Sequence, residues 1–228
     1  MSDSQNDIEP DSDDEDSSEL DSELVTAIRL NLVPGIGPRH QRSLLDYFGD
    51  PESIFAASLT ELERVSGVGP KLARLIHSAR TTDYADTEVQ TCQQKGYRLL
   101  RLGTDEYPQN LPEVCDAPLI LYCRGELKAQ DDLAVGIVGS RRCTLYGTQQ
   151  AEKFGRALAM AGFTVVSGLA RGIDAAAHRG ALAAGGRTIA VSATGLNHVY
   201  PPEHVELAEQ IAQNGAVVCK SRLDQQPT

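Results

Sequence analysis

LAVGIVGSRRCTLYGTQQAEKFGRALAMAGFTVVSGLARGIDAAAHRGALAAGG, residues 133–186, decides the fold. Two short apolar runs, Leu133–Val138 and Phe163–Val166, each end abruptly in small and polar residues. A helix-like segment follows each run. Strand, glycine-containing turn and helix, repeated, is the pattern of a parallel sheet with crossover helices. Arg187–Val191 supplies a third strand and Ala216–Cys219 a fourth. Between them Glu203–Gln213 reads as a helix, with Pro201 and Pro202 just ahead of it and Gly215 ending it. The expected class is α/β, a Rossmann-like parallel sheet with helices on both faces, over residues 133–219.

Ligands of such sheets sit beyond the carboxyl ends of the strands. Here those ends carry Gly139, Ser140, Arg141 and Arg142, then Ser167, Gly168, Arg171, Gly172 and Asp174. Gly139 leaves room for close approach, Ser140 adds a hydroxyl, and Arg141 adds a planar fork that matches phosphate oxygens. The glycine spacing is not that of a dinucleotide fingerprint. Asp174 reads as the N-cap of a helix at Ala175–Ala184, with a general base as the other reading. His178 reads as a histidine of the helix core, or else as a substrate contact. Thr194, Gly195, Asn197 and Tyr200 add neutral hydrogen-bonding groups at a third strand end. No serine–histidine–acid set, metal-ligand cluster or GxxxxGK[ST] loop occurs, so no catalytic residue, metal or cofactor is assigned. A site rich in donors and poor in bases points to binding rather than turnover.

Upstream, residues 24–80 read as a small all-α domain. Helix, short GxG hairpin and helix occur twice, around Val33-Pro34-Gly35-Ile36-Gly37-Pro38 and Ser66-Gly67-Val68-Gly69-Pro70. This is the form of the helix-hairpin-helix (SAM-like) motif. Backbone N–H groups at such turns grip phosphate without reading sequence, so Gly35, Gly37, Gly67, Gly69 and Lys71 are candidate DNA contacts. Arg39, His40, Arg42 and Arg74 are candidates to supplement them. Residues 81–132 read as a connector packing on the core, with strands at Tyr97–Leu102 and Leu119–Cys123 and a helix from Val89. Residues 1–23 read as a disordered acidic tail, and 220–228 as an unstructured end.

The net charge of −11 looks wrong for a partner of nucleic acid until it is divided. Residues 1–23 hold eleven of the 32 acids and no base, which leaves 21 acids against 21 bases in the remainder. A polyanion partner is therefore not excluded. No apolar run approaches the roughly 18 residues a membrane helix needs, and no secretory signal is visible. Five cysteines without a CxxC pair argue for reduced thiols in a cytoplasmic protein.

The words Ile137-Val138-Gly139-Ser140-Arg141, Thr144 with Tyr146-Gly147, and Val165 through Asp174 together resemble a known family, DNA-processing protein A (DprA, also called Smf). Ala176-Ala177-His178, Ala181-Leu182, Thr188–Val191, Gly195-Leu196 and Tyr200-Pro201 extend the resemblance, which spans about residues 24 to 218. It implies single-stranded DNA binding, protection of incoming strands in natural transformation, and loading of the RecA recombinase on them. It also implies a homodimer and no enzymatic turnover. Carried over by position, Gly139, Ser140 and Arg141 form the phosphate pocket, lined by Ser167, Gly168, Gly172 and Asp174. The sequence departs from the family after Cys219. Lys220-Ser221-Arg222-Leu223-Asp224 stands where the family has a Ser-Glu-aromatic-Pro segment, and no Phe-Pro-x-Arg-Asn-Arg stretch follows. The expectation is a shortened copy with an unpaired sheet edge, an uncovered apolar face and no dimer surface. The alternatives are an inert fragment, or a nucleotide-processing enzyme of the phosphoribohydrolase type. The latter's Pro-Gly-Gly-x-Gly-Thr loop does not occur in this sequence.

Overall fold

In the computed structural model, which describes residues 12–227, the apolar runs become the strands of one six-stranded sheet. The elements in chain order are α1 (Ser12–Leu32), α2 (Pro38–Phe48), α3 (Pro51–Ala56), α4 (Leu59–Leu62), α5 (Pro70–Ala79) and α6 (Tyr84–Lys95). Then come β1 (Arg98–Arg101), β2 (Ile120–Gly125), β3 (Ala134–Gly136), α7 (Leu145–Met160), β4 (Thr164–Ser167), α8 (Ile173–Ala183), β5 (Thr188–Val191), α9 (Val205–Asn214) and β6 (Ala216–Cys219). The strand order is β1-β2-β6-β5-β4-β3, with β3 to β6 parallel and β1 and β2 antiparallel.

From β3 to β6 every crossover steps in the same direction across the sheet. Right-handed crossovers that all step one way put their helices on one face, and so it is here. Val165 packs with Ala177 and Ala181 of α8, while Ala190, Val217 and Cys219 pack with Leu207, Ala208 and Ile211 of α9. The helices expected on both faces are, among the described residues, gathered on one. The opposite face carries Leu100, Leu121, Cys123, Ile189, Ala216 and Val218, covered in part by Tyr107 and Leu111 from the β1–β2 loop. That loop borders an open apolar groove of about 960 Å3.

The helical unit forms as its turns dictate. Gly37 and Gly69 are the N-caps of α2 and α5, each followed by proline at the first helical position. Gly35 and Gly67 both take φ +85, a conformation that L-residues rarely adopt. The two hairpins are thus copies of one turn, and the His40 ring of α2 lies against Gly67 of the second. Between them Ser58 and Glu61 close a capping box at the start of α4. Leu30, Leu44, Ile54, Leu62 and Ile76 fill the interior of this unit, and Ile120 and Tyr122 of β2 join the same cluster.

Three boundaries differ from expectation. Helix α1 begins at Ser12, so residues 12–23 of the stretch read as disordered are helical, and residues 1–11 lie outside the described residues. The segment read as a connector supplies β1 and β2 to the sheet itself, because Leu100 and Leu121 are buried on the same face as Ile189 and Val218. The end read as unstructured has no regular element but is packed. Leu223 is buried, its N–H donates to Glu88 of α6, and its carbonyl accepts from the Asn197 N–H.

At the amino ends of the parallel strands Asp131 holds Arg187 through two hydrogen bonds of 2.8 and 2.7 Å and accepts a third from Thr164. Burial pushes the Asp131 carboxyl up, but these bonds win and hold it below the usual carboxylate range. This clamp fastens the end of the sheet opposite the turns that carry the candidate site.

Candidate nucleic-acid interface

The β3–α7 turn and the β4–α8 turn lean on one another at backbone contact. Gly172 is the N-cap of α8 with φ 78 and ψ −123, and a Cβ there would collide with the Ser140 carbonyl oxygen. The Ile173 N–H donates to that same oxygen at 3.3 Å. A Cβ on Gly139 would meet the Ile173 side chain at 2.6 Å, and one on Gly168 would meet Asp174 Oδ2 at 2.8 Å. The closeness these glycines permit is therefore first between the two turns. Gly139 was expected to serve ligand approach; its open side is filled by Ile173.

The small polar residues join the turns as well. The Ser167 hydroxyl donates to the Ile137 carbonyl at 2.6 Å, tying the end of β4 to the end of β3. The Asp174 carboxylate is buried and accepts from the Gly168 N–H at 3.2 Å. This corrects the reading of Asp174 as a cap. Helix α8 starts one residue before it, and its carboxylate satisfies the turn instead of its own helix. Ser140 Oγ accepts from the Arg142 N–H at 3.1 Å, which holds the loop in a tight bend.

Two features of this site have no local sequence signal. Leu169 is a buried non-glycine residue at φ 57, a conformation that costs of order 1–3 kcal/mol and persists only where its surroundings enforce it. The enforcing partner is His204, which donates from Nδ1 to the Leu169 carbonyl at 2.9 Å across 35 residues of chain. The second is the pairing of Arg171 with Glu203, Nε–Oε1 2.5 Å and Nη2–Oε2 2.9 Å, with Tyr200 beneath the guanidinium at 6.0 Å. A cation expected to be free for a ligand is engaged by a carboxylate.

His178 is fully buried, and the Thr188 hydroxyl, which donates to the Val165 carbonyl, can only accept from its Nδ1. Burial, aided by nearby His204, pulls its pKa down to about 4, so the ring is neutral at physiological pH. This is the helix-core histidine of the sequence reading.

What stays open to solvent is the pair Arg141 and Arg142. Both are exposed, and neither has an ion-pair partner among the described residues. They stand beyond the carboxyl ends of the parallel strands on a turn braced from three sides. Fixed cations beside a helix N-terminus can hold a phosphodiester without any proton transfer. The hairpin glycines Gly35, Gly37, Gly67 and Gly69, with Lys71, lie elsewhere. Their domain packs on the β1–β2 end of the sheet through α1 and α6, and the turns lie at the β3–β5 end. The structure brings the turn residues together and leaves the hairpins apart from them. No cluster able to hold a metal ion occurs among the described residues, and no helix among them is long and apolar enough to cross a membrane.

Comparison with known proteins agrees with this architecture. Residues 98–228 match the family model described as DNA recombination-mediator protein A, and residues 27–80 match a SAM-like helix-hairpin-helix tandem. The protein Smf of Synechocystis is 36% identical over 210 residues, covering 90% of this chain and 53% of that protein. The crystal structure of DNA processing protein A from Streptococcus pneumoniae superposes with a TM-score of 0.74 at 30% identity, covering 90% of this chain and 70% of that one. The DNA processing protein A of Helicobacter pylori, described for its single-stranded DNA binding mode, superposes with a TM-score of 0.51 at 34% identity, over 58% of this chain and 59% of that one. The chain spans about half the length of curated relatives such as those of Synechocystis and Bacillus subtilis.

Proposed function

The chain belongs to the DNA recombination-mediator protein A family, and from that premise we propose that it binds single-stranded DNA by its backbone at the Gly139–Arg142 and Ser167–Asp174 turns. One observation carries the reading: two exposed arginines without carboxylate partners stand on a turn that the rest of the site immobilises. The side chains of Ser140, Ser167 and Asp174 are spent on the turns themselves. Arg171 joins the site by exchanging its carboxylate partner for phosphate. The helix-hairpin-helix unit adds backbone contacts through Gly35, Gly37, Gly67, Gly69 and Lys71 to a strand long enough to reach it.

In the cell this activity protects strands taken up in natural transformation and presents them to a RecA-type recombinase, with no enzymatic turnover. The single-stranded DNA binding of the Helicobacter pylori relative supports single-strand binding here. The five cysteines are free thiols, which fits a reducing cytoplasm.

The test is an anisotropy titration of the full chain with labelled single-stranded and duplex oligonucleotides at increasing salt. Single strands are expected to bind more tightly, with a log–log salt slope of at least about −1.4 from two neutralised phosphates. Salt-independent binding, or release of the base from a nucleoside monophosphate, would contradict the reading in favour of the hydrolase alternative.

A further inference from the structure

Helices α7 and α8 cross at backbone contact for a stated reason. A Cβ on Gly155 would collide with the Ala177 carbonyl, and one on Gly180 with the Glu152 carbonyl. The close crossing brings Lys153 and Arg156 of α7 and Arg179 of α8 to the rim of one hollow of about 530 Å3. Glu152 is the one carboxylate in its lining, so the hollow carries an excess of two positive charges. The three cations are exposed and have no ion-pair partner among the described residues, whereas Arg171 and Arg187 of the same domain are each held by a carboxylate.

A hollow lined by an excess of one sign of charge raises the local concentration of counter-ions, here anions. The route to this hollow is also marked. Residues 146, 149, 153 and 156 recur at helical spacing and share one stripe of α7. The stripe starts at Tyr146, 70% exposed, one turn after Arg142. From the start of α7 at Leu145 to Arg156 is about 16 Å at the rise of an α-helix. An exposed aromatic ring that leads from one set of unpaired cations to another has the composition of a single-strand track, in which bases stack and phosphates meet positive charge.

We propose that the α7–α8 hollow is a second phosphate site, which holds the backbone of the same single strand after it leaves the β3–α7 turn. The proposal rests on the reading of that turn as a DNA-backbone site. A strand too short to span α7 occupies the turn alone; a longer one fills both.

The test is anisotropy with labelled oligothymidylates of about 3 and about 20 nucleotides; at roughly 3.4 Å between phosphates the shorter does not reach along α7 from the turn to Arg156 and the longer does. The variants of the full chain are the triple K153Q/R156Q/R179Q and R141A, with thermal melts to show that each is folded. The triple variant is expected to bind the short strand within twofold of the unsubstituted chain. For the long strand it should lose at least 30-fold, with a salt slope shallower by about 2 for three lost phosphate contacts. R141A should weaken both lengths. Unchanged long-strand affinity and slope in the triple variant would overturn the hollow while leaving the turn in place. Equal loss for both lengths would also overturn it, by making the hollow part of the first site. If R141A changes neither length while the triple variant loses the long strand, the turn reading fails and the hollow is no second site but the first, which overturns the proposal as stated. Phosphorus NMR with inorganic phosphate separates the remaining source. Phosphate binding abolished in the triple variant, with long-strand binding intact, would assign a free anion and overturn the DNA track.

Discussion

Replacing Arg141 and Arg142 together by alanine is expected to lower single-stranded DNA affinity about 100-fold, since a hydrogen bond to a charged group contributes about 1.5–3 kcal/mol. The loss should be alike for every sequence tested, because phosphate contacts fix register and do not read bases. The salt slope should become shallower by about 1.4, the share of two phosphates on a single strand. Stability should not move. Both side chains are exposed and lack carboxylate partners among the described residues, so their removal breaks no contact that folding uses. Anisotropy at several salt concentrations, beside a urea melt of the variant, gives all three quantities. A double variant that keeps its affinity and slope would remove the two cations from the site.

Gly172→Ala should have the largest effect on the protein itself. At φ 78 and ψ −123 the position is in a region essentially reserved for glycine, which alone costs of order 1–3 kcal/mol for another residue. The added methyl also has no space, because the Ser140 carbonyl oxygen occupies it and Arg141 O lies 3.0 Å away. One of the two turns must move. The expected outcome is a loss of at least about 3 kcal/mol in a urea melt. Weaker DNA binding should accompany it even where the variant is folded, since the displaced turn carries Arg141. Gly185→Ala is the control: φ is also positive, at 68, but nothing lies within 4 Å of the new methyl. There only the backbone term remains, about 1 kcal/mol. Equal losses at the two positions would show that the turn-to-turn contact does not constrain the site.

The parallel core was legible because each of its strands is a short apolar run stopped by glycine, serine or lysine. Thr164–Ser167, Thr188–Val191 and Ala216–Cys219 fall where the composition changes. The hairpins were legible because GxG followed by proline specifies a turn and a helix start in six residues. What the sequence did not show depends on partners far along the chain. The start of α6 at Tyr84 lies in a polar stretch, and only packing against α1 and β1 favours a helix there. Asp174 carries the signal of a cap and is instead drawn to the Gly168 N–H. The pairing of Arg171 with Glu203 spans 32 residues, and that of Leu223 with Glu88 spans 135, so neither leaves a local pattern. Within the site, the glycines and arginines were visible from their place after a strand. The hydrogen bonds that hold them still were not.

Those hydrogen bonds make hydrogen exchange with bound DNA the most direct measurement. With a single-stranded oligonucleotide in excess, amides of residues 139–147 and 168–176 are expected to slow more than any other segment. Those of the sheet's opposite end, residues 128–132, should be unchanged. Protection confined to the hairpins at 33–38 and 66–70, with the two turns exchanging as in the free chain, would contradict the assignment of the turns as the DNA site.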